Sequence, residues 1–466
     1  MTDLCALTAT EQARLVRSRE VSPVDLVEAS LARIELVQPV CNAFTLILAD
    51  EARAAARLAE SAEPTGPLHG VPVAFKEFTP TKGHVTTRGS VAFRDWVAPE
   101  DPAIVQRFRA AGAIMVAKTT TPEFAYSSYT RSPLWGETGN PWDPTRCPGG
   151  SSGGAGVAVT TGCVALAEGT DMGGSVRIPA AFCGCVGLKP SLGRIPMDIL
   201  PTVFDDMSHF GPLARTVDDA ALFLRVAEGP LEADIMSQRD PMPLPESFDR
   251  NLSGLRIGLS EDLDIYAVDA EVLSNLQATA EALRDAGAEV VPVSLGWTSD
   301  MATAWGRWWG VYLAAAFADV LPAHRAEMDA DVVALMDAGL AMDAVSFARI
   351  DQLRTRMWHQ VCEVFQTHHA LLCPTMAQPA PLNTTRDGDF EHVDADGRLH
   401  GLDMTAVFNM VGQCPALSVP SGMTAAGLPT AAQVITPRFN DPLALRIGAA
   451  IEARRPWMQW SPDRLP

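Results

Sequence analysis

Residues 148–179 read PGGSSGGAGVAVTTGCVALAEGTDMGGSVRIP, and two serines in this stretch, Ser151 and Ser175, each lie in a run of glycines. Glycine takes positive φ freely and lets backbones approach closely, so such runs mark tight, exposed-amide turns. A serine there is a weak nucleophile unless a base takes its proton. Neither serine has a neighbouring histidine. The pattern of the stretch is a small-residue helix from just after Ser152, a strand over CVALAEGT, and a short helix from Ser175.

The same alternation runs outward. Residues 8–60 read as two helices: Thr8 with Glu11 three residues on makes a capping pattern, Ser22-Pro23 starts the second helix, and ADEARAAARLAE is strongly helical. GPLHGVPVAFKEF holds a buried strand with Lys76 at its end. DPAIVQRFRAAGAIMVAK reads helix, glycine stop, strand. Further helix–strand units cover TVDDAALFLRVAEG to LRIGLS, VLSNLQATAEALRDAGAEVVPVSL, and ARIDQLRTRMWHQVCEVFQTHHALLCP, with two closing strands in CPALSVPSG and LPTAAQVI. This predicts an α/β fold, a large mixed β-sheet covered by helices on both faces. Residues 229–254 and 381–400 read as surface loops, and neither divides the chain, so 1–466 is expected to form one domain. Within it, 1–60 are N-terminal helices, 70–225 a catalytic core and 255–466 a variable substrate-side region with the C-terminal strands.

Composition narrows the function. A net charge of −20 argues against a nucleic-acid groove. The nine cysteines show no zinc or redox spacing and read as free thiols of a reducing cytoplasm. No run of about 18 apolar residues suggests a membrane span. The chain has no HExxH, no Walker A ending and no GxSxG elbow. His209 reads as a core or loop histidine, so a lysine is the better base for either serine. Lys76 can be that base if burial disfavours its ammonium, or an ordinary lysine paired with Glu77. The Gly173-Gly174-Ser175 turn can form an anion-binding nest of backbone amides or a plain tight turn. Trp305, Trp308 and Trp309 read as core or interface packing rather than a substrate wall.

Taken together, PLHGVPVAFKE, TTRGS (86–90), AAGAIMVAKTTTPEFA, GNPWDPTRCPGGSSGGAGVAV, EGTDMGGSVRIPAAFCGCVGLKPS, GPLARTVDDAA and FNMVGQCPALSVPSG resemble the amidase signature family of serine hydrolases almost end to end. The resemblance implies a Ser–cis-Ser–Lys triad: Ser175 as nucleophile, Ser151 as bridging serine with a cis peptide, Lys76 as base. It implies an oxyanion hole from the amides of Met172, Gly173, Gly174 and Ser175. No metal or cofactor is implied. Asp171 and Arg177 are expected to pair structurally, with an anionic substrate as the other use of Arg177. The segment after TPEF implies a pocket at Tyr126 and Tyr129, with Trp135 and Ser152 nearby. Glu77 stands where aspartate is commoner, GGAG where GGS is frequent, and GLPTAAQ departs from GLP-x-G-x-Q. These departures bear on specificity, since every triad member is present. The implied activity is hydrolysis of a small aryl or alkyl amide through a Ser175 acyl-enzyme, with anilides, carbamates and esters as related substrates. The alternatives are an ammonia-supplying amidotransferase component with a partner chain, and a non-catalytic amidase-like binding protein. The expected partner is a small-molecule amide, with no nucleic acid and no membrane, and the family's frequent homodimer carries over as an expectation.

Overall fold

The computed structural model describes residues 3–464. Helix α1 (Ala9–Arg17) starts at a reciprocal cap, in which the Thr8 hydroxyl accepts the Glu11 amide and the Glu11 carboxylate accepts the Thr8 amide. Ser22 caps α2 (Pro23–Cys41), which carries proline in its first turn and ends at left-handed Asn42. Residues 8–60 hold three helices rather than two, because α3 (Ala49–Ser61) is separated from α2 by the strand β1 (Phe44–Ile47). Four residues are too few for a period to register, and β1 is fixed by pairing with a strand far along the chain.

Strand β2 (Pro72–Lys76), helix α4 (Ala103–Ala110) and strand β3 (Ile114–Thr119) form a unit in which β2 and β3 run parallel, with Lys76 opposite Thr119. A two-residue ladder, β4 (Arg131–Ser132) on β5 (Gly136–Glu137), precedes α5 (Gly153–Thr160), β6 (Leu166–Asp171), α6 (Arg177–Cys183), β7 (Val186–Lys189) and β8 (His209–Ala214). Next come α7 (Val217–Ala227), β9 (Arg256–Leu259), α8 (Ala270–Asp285) and β10 (Glu289–Pro292), and 229–254 is a loop as expected. A helical block follows: α9 (Ser299–Phe317), α10 (Leu321–His324), α11 (Ala330–Ala341) and α12 (Ala344–Phe365). The chain closes with β11 (Ala370–Pro374), β12 (Ala416–Met423), β13 (Pro429–Ile435) and α13 (Asp441–Arg454).

Eleven strands make one sheet in the order β1-β3-β2-β6-β8-β7-β12-β13-β11-β9-β10. It is mixed: β2 is parallel to β3 and β6, and β9 to β10 and β11, while the remaining neighbours are antiparallel. Successive residues of β2 serve opposite faces, as the pleat requires. Val73 and Phe75 join an apolar cluster with Phe108 and Phe223, whereas Ala74 joins another with Val157 and Val176. All of α5 is buried, and its small side chains let it lie against β6 and β2. A third cluster, around Trp297, Trp308, Phe317, Met336, Met357 and Phe408, joins the helical block to the sheet. Among the described residues, no helix is long and apolar enough to cross a membrane.

Candidate active site

Lys76 ends β2 with its side chain fully buried. Its Nζ donates to Ser151 Oγ at 2.7 Å and to Thr170 Oγ1 at 2.8 Å. It has no ion-pair partner within 4.0 Å among the described residues, because Glu77 is engaged elsewhere: its carboxylate pairs with Lys118 at 3.3 Å and accepts from Thr87 and Thr45. The reading of Lys76 as a partner of Glu77 is therefore corrected. Burial disfavours the Lys76 ammonium and lowers its pKa from 10.5, and the charges of Glu168 and Asp171 oppose that shift only in part. Burial pushes the Glu168 carboxyl the other way, above its usual value of 4.5, although it accepts the Lys76 amide at 2.9 Å and Thr79 Oγ1 at 3.0 Å.

Ser151 is buried between Lys76 and the turn that starts α5, and its peptide bond to Gly150 is cis. The neighbouring Ser152 amide donates to Ser175 O at 3.2 Å, which ties the two glycine-rich loops together. Ser175 opens onto a cavity of about 720 Å³. Its hydroxyl makes no hydrogen bond among the described residues, whereas Lys76 and Ser151 are linked directly.

The turn before Ser175 is anchored by Asp171 at the end of β6. The Asp171 carboxylate accepts Gly174 N at 2.9 Å, Val176 N at 3.3 Å, Asn409 Nδ2 at 2.9 Å and two Arg177 nitrogens at 3.0 Å each. Burial alone would raise its pKa. The Arg177 guanidinium and these bonds overcome that and hold the carboxyl below the ordinary carboxylate range. Arg177 also donates to Thr405 O, Gln433 Oε1 and Asn409 Oδ1, and it is completely buried. It has no route to an anionic substrate and serves the pair with Asp171. Since Gly174 N is spent on Asp171, Gly174 leaves the expected oxyanion set. The amides of Met172, Gly173 and Ser175 have no acceptor among the described residues and remain available.

Gly174 has φ +125°, and a Cβ there would sit 1.9 Å from Thr405 Oγ1. Gly174→Ala is expected to lower kcat/KM by about 10²-fold or more, the scale of a lost oxyanion donor. Kinetics together with a thermal melt check it, and an unaltered kcat/KM would contradict the tight fit of this turn.

The cavity wall differs from the expected one. Tyr126 lines it, but Tyr129 is 1 % exposed, packs beside Ile178 and Phe182, and shares a 2.6 Å hydrogen bond with Thr385 Oγ1. Ser152 is buried, with its hydroxyl 3.4 Å from Thr170 O, and Trp135 donates its indole N–H to Thr87 Oγ1. Tyr129, Ser152 and Trp135 thus support the site without facing the cavity. Trp308 and Trp309 are buried in the core as expected and both stack on Tyr312, while Trp305 is half-buried; Trp305 and Trp309, four residues apart on α9, also line the cavity. The 381–400 loop, expected as plain surface, closes the far side with Arg386–Phe390. There Asp387 accepts the Ser127 hydroxyl and the Ser128 amide, and burial raises its carboxyl to about 6.

Sequence reading passed over Glu168 and Thr170. Their spacing of two on β6 puts them on one face of the strand, and that alternation was the available signal. His209 is buried with its ring nitrogens against Asp171 O at 3.3 Å and Gly412 O at 3.1 Å, and burial lowers its pKa to about 3, so it is a neutral core residue. No histidine bonds either serine among the described residues. Nor do His, Cys, Asp and Glu side chains gather there into a group able to hold a metal.

The chain has clear relatives. The family described as Amidase matches residues 25–445. An acylamidase of Rhodococcus erythropolis is 36% identical over 464 residues, covering 98% of this chain and 97% of the relative. A glutamyl-tRNA(Gln) amidotransferase subunit from Geobacter metallireducens is 32% identical, with 98% of each chain covered. The solved structure of a bacterial aryl acylamidase of the amidase signature enzymes superposes with a TM-score of 0.92 at 30% identity, covering 98% of both chains. A mixed eleven-stranded sheet, two glycine-bound serines beside a buried lysine, and likeness along nearly the whole length lead to one assignment: this chain belongs to the amidase family and is a hydrolase of non-peptide carbon–nitrogen bonds in linear amides.

Proposed function

We propose that this protein hydrolyses aryl or extended apolar amides through an acyl-enzyme on Ser175, with Ser151 as proton relay and Lys76 as base. The observation that carries the reading is the 2.7 Å bond from a fully buried Lys76, without an ion pair among the described residues, to Ser151 Oγ, beside a Ser175 that faces the cavity. A lysine kept from its ammonium form by burial can accept a proton, which an exposed lysine at neutral pH does poorly.

In this scheme the Ser175 side chain turns toward Ser151. Neutral Lys76 takes the Ser151 proton, Ser151 takes the Ser175 proton, and Ser175 Oγ bonds to the amide carbon. The carbonyl oxygen becomes an oxyanion that faces the amides of Met172, Gly173 and Ser175. The C–N bond then breaks as the proton returns from Lys76 through Ser151 to the leaving nitrogen, which amide cleavage needs because an amide anion leaves poorly. Water adds to the ester by the same relay and releases the acid.

The cavity of about 720 Å³, walled by Tyr126, Trp305, Trp309 and Leu335, supports a substrate larger than a short aliphatic amide. A panel of anilides, aliphatic amides, carbamates and esters tests this. Anilides and long apolar amides are expected to have kcat/KM about tenfold or more above acetamide. Preference for the shortest amides, or turnover only with a second chain present, would overturn it.

A further inference from the structure

The geometry points to Trp305 as a positioning residue that aims the oxyanion-binding amide of Gly173, so that the wall of the acyl cavity and the alignment of the oxyanion hole depend on one side chain. This inference rests on the proposed Ser175 chemistry. The indole Nε1 of Trp305 donates to Met172 O at 2.9 Å. In a planar trans peptide the C=O and the following N–H point in opposite directions. Holding Met172 O therefore directs Gly173 N–H to the opposite side of that peptide plane, and this amide has no acceptor among the described residues.

The next peptide shows the same device with a different outcome. Thr405 Oγ1 bonds Gly173 O at 2.6 Å, and the Gly174 N–H on its far side is taken by Asp171. Two consecutive carbonyls are thus each captured by a side chain from outside the turn, and the Trp305 anchor is the one that leaves its amide free. Ring contact reinforces this anchor, since a Cβ on residue 173 would lie 2.3 Å from the Trp305 ring, so glycine is what lets the indole edge approach the turn. The other side of Trp305 stacks on Trp309 at 6.2 Å, and both rings line the cavity. Trp309 holds a different carbonyl, Tyr126 O at 3.3 Å, away from the oxyanion turn.

A residue that only walls the cavity affects ground-state and transition-state binding alike, whereas one that aims an oxyanion donor affects the transition state selectively. The test uses phenylboronic acid, whose tetrahedral serine adduct places an oxygen in the oxyanion hole, and para-nitroacetanilide, whose binding is measured in Ser175→Ala protein with and without Trp305→Phe. Trp305→Phe is expected to weaken phenylboronic acid and lower kcat by about tenfold or more, while anilide affinity changes by less than about threefold. Trp309→Phe is expected to raise KM and leave the boronic acid-to-anilide affinity ratio near that of the parent. Equal loss of both affinities in Trp305→Phe, or no loss of either, overturns the inference. If that variant does not fold, benzothienylalanine at position 305 keeps the ring shape, lacks the N–H and gives the same readout. Failure of the Ser175 chemistry itself shows separately, as a parent protein that does not bind phenylboronic acid.

Discussion

Ser175→Ala is expected to leave a folded protein whose amide turnover is lower by about 10⁴-fold or more. Members of a nucleophile–base unit fail together, so loss of the nucleophile removes nearly all of its contribution. The structural cost is small for a local reason. Ser175 Oγ makes no hydrogen bond among the described residues and faces the cavity, while the loop tie uses the Ser175 carbonyl, which alanine keeps. The melting midpoint is therefore expected to move by no more than a surface substitution would, roughly 0.5 kcal/mol in stability. Anilide turnover beside a thermal melt measures both. Turnover within tenfold of the parent in a folded variant would remove Ser175 from the chemistry.

Lys76→Met has the second large effect, and its sign with pH distinguishes a base from a structural cation. Methionine keeps the length of the side chain and loses the proton acceptor. General-base removal costs about 10²–10⁴-fold. The base works when neutral, so kcat/KM of the parent is expected to rise with pH through an ionisation below the ordinary lysine value of 10.5, because burial lowers the Lys76 pKa. That ionisation belongs to Lys76 and Glu168 together, since the two groups share one buried site. The variant has no such acid limb, so the ratio of parent to variant is largest on the alkaline plateau and shrinks as pH falls. The same depression means that the folded state binds fewer protons at Lys76 than the unfolded state. Its contribution to stability therefore rises with pH between the lowered value and 10.5, and Lys76→Met loses that slope. A parent-to-variant ratio that does not change with pH would make Lys76 a structural lysine.

The parts of the molecule legible from residue order are those where a single residue type answers a local demand. Thr8 with Glu11, Ser22 with Pro23, and the glycines around Ser151 and Ser175 announce caps and turns because few other residues can make them. Lys76 at the end of a buried VAF run was likewise readable, as was the absence of any histidine base. What remained hidden depends on partners distant in sequence. Trp305, Trp308 and Trp309 share a composition, and only the packing of α9 against α11 and α12 brings Trp305 and Trp309 to the cavity wall while burying Trp308 and Trp309 in the core. Tyr129 was expected in the pocket because it follows TPEF, but its ring packs against Ile178 and Phe182 and its hydroxyl is held by Thr385. Asp387 lay in a stretch without period, and a loop of that kind shows its role only once it has folded over a cavity.

The most direct test of the account is the intact mass of the protein after exposure to a fluorophosphonate, with the adduct mapped by peptide analysis. One adduct on Ser175 is expected, absent in Ser175→Ala and formed far more slowly in Lys76→Met. An adduct on any other residue, or none on a protein that is turning over amides, would contradict it.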